Sequence, residues 1–274
     1  MQLFIEWGPS ANAFSFGLFA IQWYGLLWGA SLMLCFFIAQ YLFKQLNRDD
    51  NDITLIIQYI FLGGIIGARL AHVFIYNPSF YLANPADIIA VWKGGLASHG
   101  GVVGGLLGLY FFCRHHKQYS FFWLLDIGII ATLIIASLVR FGNLMNSELC
   151  GKVTDVPWAF IFTNSYEVQD MLPRHPVVLY ESIAYFIIQV VMLLLFKLYK
   201  ESKPGIYIST FLITVFTIRF MLEFYKEPDG RLIFNTISKT QLLNLPFILT
   251  GLVLAWYTLK GKLSYGTKSA PLNS

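Results

Sequence analysis

Residues 176–196 read PVVLYESIAYFIIQVVMLLLF, a run whose one charged residue is Glu181. At 1.5 Å per residue, roughly 20 apolar residues as a helix cross the hydrocarbon core of a bilayer, so this run is long enough to span it. Lipid offers the backbone no hydrogen-bond partners. A spanning segment therefore closes its own bonds as a helix. Working outward, similar runs occupy roughly 15–43, 53–76, 97–113, 120–139, 206–225 and 241–259. The run at 97–113 carries Gly100, Gly101, Gly104, Gly105 and Gly108, which weaken a helix in water but allow close helix approach in a membrane. The expected fold is all-α and polytopic, with about seven transmembrane helices.

Composition agrees with that reading. Hydrophobic residues make up 57% of the chain and charged residues 12%, about half the charge of an ordinary soluble domain. A single membrane domain over 1–274 is expected in place of the two soluble domains the length would otherwise imply. The start, Met1–Trp7, has Glu6 and no basic residue, so the first apolar run reads as retained rather than as a cleaved leader. Cys35, Cys113 and Cys150 have no paired spacing, which gives neither a disulfide framework nor a zinc site. A formal charge of +4, dispersed along the chain, gives no reason to expect a nucleic-acid partner. The end, Gly266–Ser274, reads as a short disordered tail.

Basic residues in the short loops set the orientation. Lys44, Arg48, Arg114, Lys117, Lys197, Lys200, Lys203, Lys260, Lys262 and Lys268 fall on one side, and Lys93, Arg140, Lys152, Arg174, Lys226, Arg231 and Lys239 on the other. The richer side is expected to be cytoplasmic. The N-terminus then lies outside, the C-terminus inside, and a long external connection covers about 140–175. That connection and the one around 77–95 read as lids or gates.

Under this topology the unusual polar residues share one depth near the external ends of the segments. Tyr24, Arg69, His99, Arg140, His175, Glu181, Arg219, Glu223 and Gln241 form that layer. His99 stands in Ser98-His99-Gly100-Gly101, where backbone can approach a ligand closely and a helix start offers free N–H groups to an anion. It reads equally as a histidine at a helix mouth bonded to a carbonyl. Arg140 to Glu148 places a guanidinium, the amides of Asn143 and Asn146 and a carboxylate within nine residues. Such groups hold and orient a phosphate; an interfacial cap with a snorkelling arginine is the alternative. Arg219 and Glu223, four apart, are close enough to pair and mark either a functional site or a structural ion pair. Arg69 reads as a headgroup ligand or as a snorkelling residue beside Tyr76. The tryptophans and most tyrosines read as interfacial belts, and His115, Lys117 and Cys150 as structural. No histidine cluster suits a metal.

Taken in order, these motifs resemble the bacterial prolipoprotein diacylglyceryl transferase family over nearly the whole chain. The resemblance runs through Trp23-Tyr24-Gly25-Leu26, Gly67-Ala68-Arg69-Leu70, His99-Gly100-Gly101 with Gly104, and Arg140 to Glu148 ending at Gly151. It continues through Asp155-Val156-Pro157-Trp158-Ala159, Arg174-His175-Pro176 with Leu179-Tyr180-Glu181, and Arg219 with Glu223-Phe224. Departures from the family pattern include Ser98 for a phenylalanine, His72 for a tyrosine, Val178 for a glutamine, Lys226 for an arginine and Thr240 for a glycine.

The resemblance implies a multi-pass enzyme of the bacterial cytoplasmic membrane. It would move a diacylglyceryl group from phosphatidylglycerol to the lipobox cysteine of a prolipoprotein, making a thioether and releasing glycerol 1-phosphate. Its partners would be phosphatidylglycerol, the prolipoprotein signal peptide and membrane lipid, with no cofactor and no metal. His99 is the expected base or thiolate stabiliser, and Arg140 and Arg219 the phosphate ligands. Tyr24, Asn143 and Asn146 would orient headgroup oxygens, and Glu148 or Glu223 would fix an arginine. Arg69, Gly100 and Gly101 complete the expected substrate contacts. Two alternatives stay open at this point: a lipid transporter, and a family member that binds lipid and signal peptide without turnover.

Overall fold

The computed structural model describes residues 4–17, 19–199, 203–227 and 237–263. The expected tail at 266–274 and the topology residues Lys200, Arg231 and Lys268 lie outside the described residues. By backbone contacts the chain divides into two compact units, Met1–Ala39 with Leu125–Leu263, and Gln40–Leu124 with Ser264–Ser274.

The chain is largely helical, and among the described residues six helices are long and apolar enough to cross a membrane. They are α1 (Trp23–Gln45), α2 (Asn51–Ala71, prolonged by a π turn at His72–Tyr76), α5 (Phe121–Met145), α6 (Val177–Leu198), α7 (Ile206–Leu222) and α8 (Lys239–Leu259). The run at 97–113 forms a helix too, α4 (Ser98–His115), which is not among those six. A six-residue helix, α3 (Pro78–Ala83), precedes α4.

Two sequence boundaries are corrected. The first apolar run does not become helical at 15, because residues up to Gln22 form an antiparallel hairpin of β2 (Asn12–Phe16) and β3 (Phe19–Gln22). Phe16 pairs with Phe19 and Gly17 takes φ +59°, the left-handed geometry a tight hairpin needs. At the other edge, α5 continues six residues past Val139, which places Arg140 and Asn143 on a helix rather than in a loop. The long connection after α5 is itself folded. β1 (Ile5–Trp7) lies parallel to β4 (Phe160–Phe162), and Trp7 stacks on Phe160 and donates its indole N–H to Leu144 O at 2.9 Å. Leu144, Cys150, Phe160, Phe162 and Val178 form a buried core there.

In the first unit, one intramembrane charge has a structural explanation that the sequence reading did not anticipate. Asp126, 1% exposed, accepts from Gly205 N at 2.6 Å and Ile208 N at 2.9 Å. A carboxylate at the start of α7 satisfies N–H groups that lipid cannot and complements the helix dipole.

In the second unit, α2 and α4 meet backbone to backbone. A Cβ built on Gly104 would overlap Gly63 O and lie 2.9 Å from Gly67 Cα, and one on Gly100 would overlap Ala71 Cβ and Gly67 O. Gly101 is different: its Cβ would meet Ala68 Cβ at 3.6 Å, an ordinary contact. Gly104→Ala is therefore expected to lose about 1–3 kcal/mol of stability through overpacking. Gly101→Ala should hold it or gain up to about 1 kcal/mol from helix propensity. Thermal unfolding of both variants in detergent checks the contrast.

Candidate active site

The end of α5 folds back on itself. Glu148 N bonds Asn143 O at 3.0 Å, and Ser147 and Leu149 take positive φ, which brings the Glu148 carboxylate over the helix terminus. Asn143 Nδ2 donates to Glu148 Oε2 at 2.7 Å and Asn146 Nδ2 to Oε1 at 3.0 Å. Each carboxylate oxygen thus has an amide donor. The expectation was that Glu148 or Glu223 would fix an arginine; in the structure Glu148 holds the two asparagines. Tyr24, on the first turn of α1, lies against Gly142, where an added Cβ would come within 3.1 Å of its ring.

Arg140 is held by a residue from another helix. Glu181, 0% exposed on α6, accepts a hydrogen bond from Lys226 Nζ on Oε1 at 2.8 Å and forms an ion pair with Arg140, Nε to Oε2 at 2.8 Å, outside hydrogen-bond geometry. Lys226 also lies 3.6 Å from Glu223 Oε2, while Glu223 Oε1 accepts from Ser238 Oγ at 3.0 Å. Ser238 caps α8 in a reciprocal box with Gln241. Arg219 and Glu223 do not form the ion pair their spacing allowed, among the described residues. α7 ends at Leu222, and Glu223 opens a 3₁₀ turn that directs it to Lys226 and Ser238.

Backbone pairing delivers Lys226 to this cluster. Lys152 N bonds Tyr225 O at 2.8 Å, Gly151 N bonds His175 O at 3.1 Å, and Gly151 bridges Lys226. A Cβ at Gly151 would overlap His175 O, so the motif ends in glycine for packing reasons. Arg174, 6% exposed, ties the same strip by donating to Gly151 O at 3.0 Å and pairing with Glu227 at 2.9 Å and with Asp170. Burial pulls the His175 imidazole below its usual range, and its ring packs on Tyr225.

These groups border a cavity of about 220 Å³ whose wall includes Arg140, Arg219, Lys226, Glu223, Thr240 and Cys150. The same wall carries the carboxylates of Glu167, Glu223 and Glu227, so the three cations offer donors to an anion from a lining that is mixed in charge. Cys150, expected to be structural, belongs to that wall, and burial pushes its thiol up, away from the reactive thiolate. Glu181 belonged to the expected polar layer but not to the expected site. The signal was present: it is the one charge in a run of 21 apolar-segment positions, 176–196.

The second unit holds the remaining expected residues. His99 is exposed on the first turn of α4, whose start is pinned by Ala97 N to Ala68 O at 3.0 Å. Gly101 lies beside it, half-buried. Gly100 is buried against α2, so its missing side chain serves helix packing instead of the ligand contact expected of it. Arg69 is likewise corrected. Its guanidinium, 4% exposed, donates to the carbonyls of Asp87, Ile88, Gly94 and Gly95 and lies 5.1 Å from the Tyr81 ring centroid. With its donors engaged by main chain, Arg69 anchors the 87–95 segment rather than a headgroup.

Comparison with known proteins agrees with this arrangement of motifs. A family model described as prolipoprotein diacylglyceryl transferase matches residues 11–257. A phosphatidylglycerol–prolipoprotein diacylglyceryl transferase of Tolumonas auensis is 41% identical over 93% of this chain and 98% of its own length. Proteins of the same name from Chloroherpeton thalassium, 40% identical over 94% of this chain and 95% of the relative, and Bacteroides fragilis, 37% identical over 95% and 97%, are similar throughout. On the match of both motif order and whole-chain similarity, this chain belongs to the prolipoprotein diacylglyceryl transferase family.

Proposed function

We propose that the protein transfers the diacylglyceryl group of phosphatidylglycerol to the lipobox cysteine of a prolipoprotein in the bacterial cytoplasmic membrane. The observation that carries this reading is the cavity to which Arg140, Arg219 and Lys226 all turn, beside Glu167, Glu223 and Glu227, with Glu181 buried behind two of the three cations. The bond formed joins the cysteine sulfur to the glyceryl carbon of the lipid. The bond broken joins that carbon to the phosphate oxygen, and glycerol 1-phosphate leaves with the electron pair. Cationic groups fixed before the reaction stabilise the charge that develops on the leaving oxygen. Arg140 meets Glu181 through Nε, which leaves the outer edge of the guanidinium to face a phosphate.

His99 takes the thiol proton in this proposal. A thiol with a pKa near 8.5 needs a base or a positive field to react at neutral pH, and an imidazole titrates in the right range. Tyr24, Asn143 and Asn146 orient headgroup oxygens. We assign α4 as a seventh membrane span: its 18 residues extend about 27 Å, and its glycine face is matched to α2. The N-terminus then lies outside, the C-terminus in the cytoplasm, and the cavity opens on the external side.

The test supplies phosphatidylglycerol and a lipobox peptide and looks for one added diacylglyceryl unit on the cysteine by mass. Peptide retained without a mass increase would favour a binding protein, and lipid movement across vesicles without product would favour a transporter. His99→Ala should lower the rate at least about a hundredfold, the usual worth of a general base. Wild-type thioether formation in that variant would remove His99 from the mechanism.

A further inference from the structure

The cavity wall mixes two kinds of charged group, and their partners tell the carboxylates apart. Glu223 is engaged by Lys226 and Ser238, and Glu227 by Arg174. Glu167, on the same wall, forms no ion pair among the described residues. It is nevertheless fixed. Its Oε2 accepts from Cys150 N at 3.2 Å. Its own N–H donates to Ser165 Oγ at 3.1 Å, and that hydroxyl donates to Ser147 O at 2.8 Å. Both tethers run to the turn that ends α5. A carboxylate is thereby held at the cavity with its second oxygen, Oε1, bonded to no described residue.

A phosphate gains nothing from this residue, since an ionised carboxylate accepts hydrogen bonds and donates none. A hydroxyl next to the phosphate does gain. It donates its one proton to a carboxylate and still accepts from a guanidinium or an ammonium, so it can sit between the two kinds of group on this wall. A headgroup ammonium only donates, and leaves the neighbouring cations unmatched. Resting on the function proposed above, we infer that Glu167 is a specificity-determining residue for the lipid headgroup. Oε1 accepts from a hydroxyl of the glycerol that leaves with the phosphate, while Arg140, Arg219 and Lys226 hold the phosphate itself. The substrate class selected in this way is a phospholipid with a polyol headgroup. Glu167 takes no part in the bond that forms or the bond that breaks.

The test compares two donors to the lipobox peptide: phosphatidylglycerol, and phosphatidylpropanol, which has the same phosphate and acyl chains but no headgroup hydroxyl. The unaltered protein should favour phosphatidylglycerol in kcat/KM by about tenfold, toward the low end for a hydrogen bond to a charged group. Glu167→Ala should lower kcat/KM for phosphatidylglycerol by about tenfold and for phosphatidylpropanol less than twofold, so that the preference disappears. Glu167→Gln keeps an oxygen for Cys150 N and removes the charge. It should reduce the preference to about threefold, the worth of a neutral hydrogen bond, and it carries the test if alanine loosens the turn. A merely structural role would lower both donors alike, so an unchanged ratio in both variants overturns the inference. A selective loss of activity toward phosphatidylethanolamine would overturn it too, by giving Glu167 to an ammonium. If the unaltered protein transfers from neither donor, the proposed function fails. If it uses both equally well, that function stands and the role of Glu167 alone is wrong.

Discussion

Arg140→Lys lowers the rate of lipid transfer by about a hundred- to a thousandfold, the range seen when one pre-positioned donor to a developing negative charge is lost. The reason is geometric, since lysine conserves the charge. Arg140 sets its Nε side against the Glu181 carboxylate, an ion pair at 2.8 Å, and also borders the cavity. A lysine ammonium is a single point and cannot face both ways. It either stays with the buried carboxylate or follows the phosphate. Initial rates with saturating peptide, at several phosphatidylglycerol concentrations, check the expectation. Near-normal turnover in the lysine variant would show that charge alone suffices.

Glu181→Ala is expected to destabilise the protein by about 3 kcal/mol, toward the low end for removing one partner of a buried ion pair. The carboxylate is 0% exposed and holds two cations, whose side chains are 18% and 14% exposed. Both retain a thin solvent edge along the cavity, which moderates the loss. The companion variant Glu181→Ala with Lys226→Met should recover part of the stability, because one stranded charge goes with its partner. It should not recover activity, since Arg140 stays unanchored. Denaturant or thermal unfolding in detergent, read beside transfer rates, separates the two effects.

The membrane architecture was legible because hydropathy is a one-dimensional property: an apolar run of spanning length has few other ways to satisfy its backbone. Where the sequence misled, competing local interactions decided. Residues 15–22 were read into the first helix, yet a Gly17 turn and pairing between Phe16 and Phe19 place them in a hairpin. Within the candidate site, Arg140, Asn143, Asn146 and Glu148 were readable as a group because they are close in the chain. Their partners were not. Glu181, Lys226 and Ser238 are tied to Arg140 and Glu223 only through folding, across sequence gaps that spacing rules do not span. Arg69 and Gly100 show the converse: residues of chemically suggestive type that the fold uses for a loop anchor and a helix seam.

The seam between α2 and α4 has a consequence for how this protein can change. An interface made of interlocking side chains can exchange volume, a larger residue on one helix offset by a smaller one opposite. Along Gly63, Gly67, Gly104 and Gly108 there is nothing left to shrink, since each of these glycines faces main-chain atoms. No second-site substitution can offset an added methyl group there. Once a lineage had reached this contact distance, the helix pair could drift everywhere except along the line where it touches.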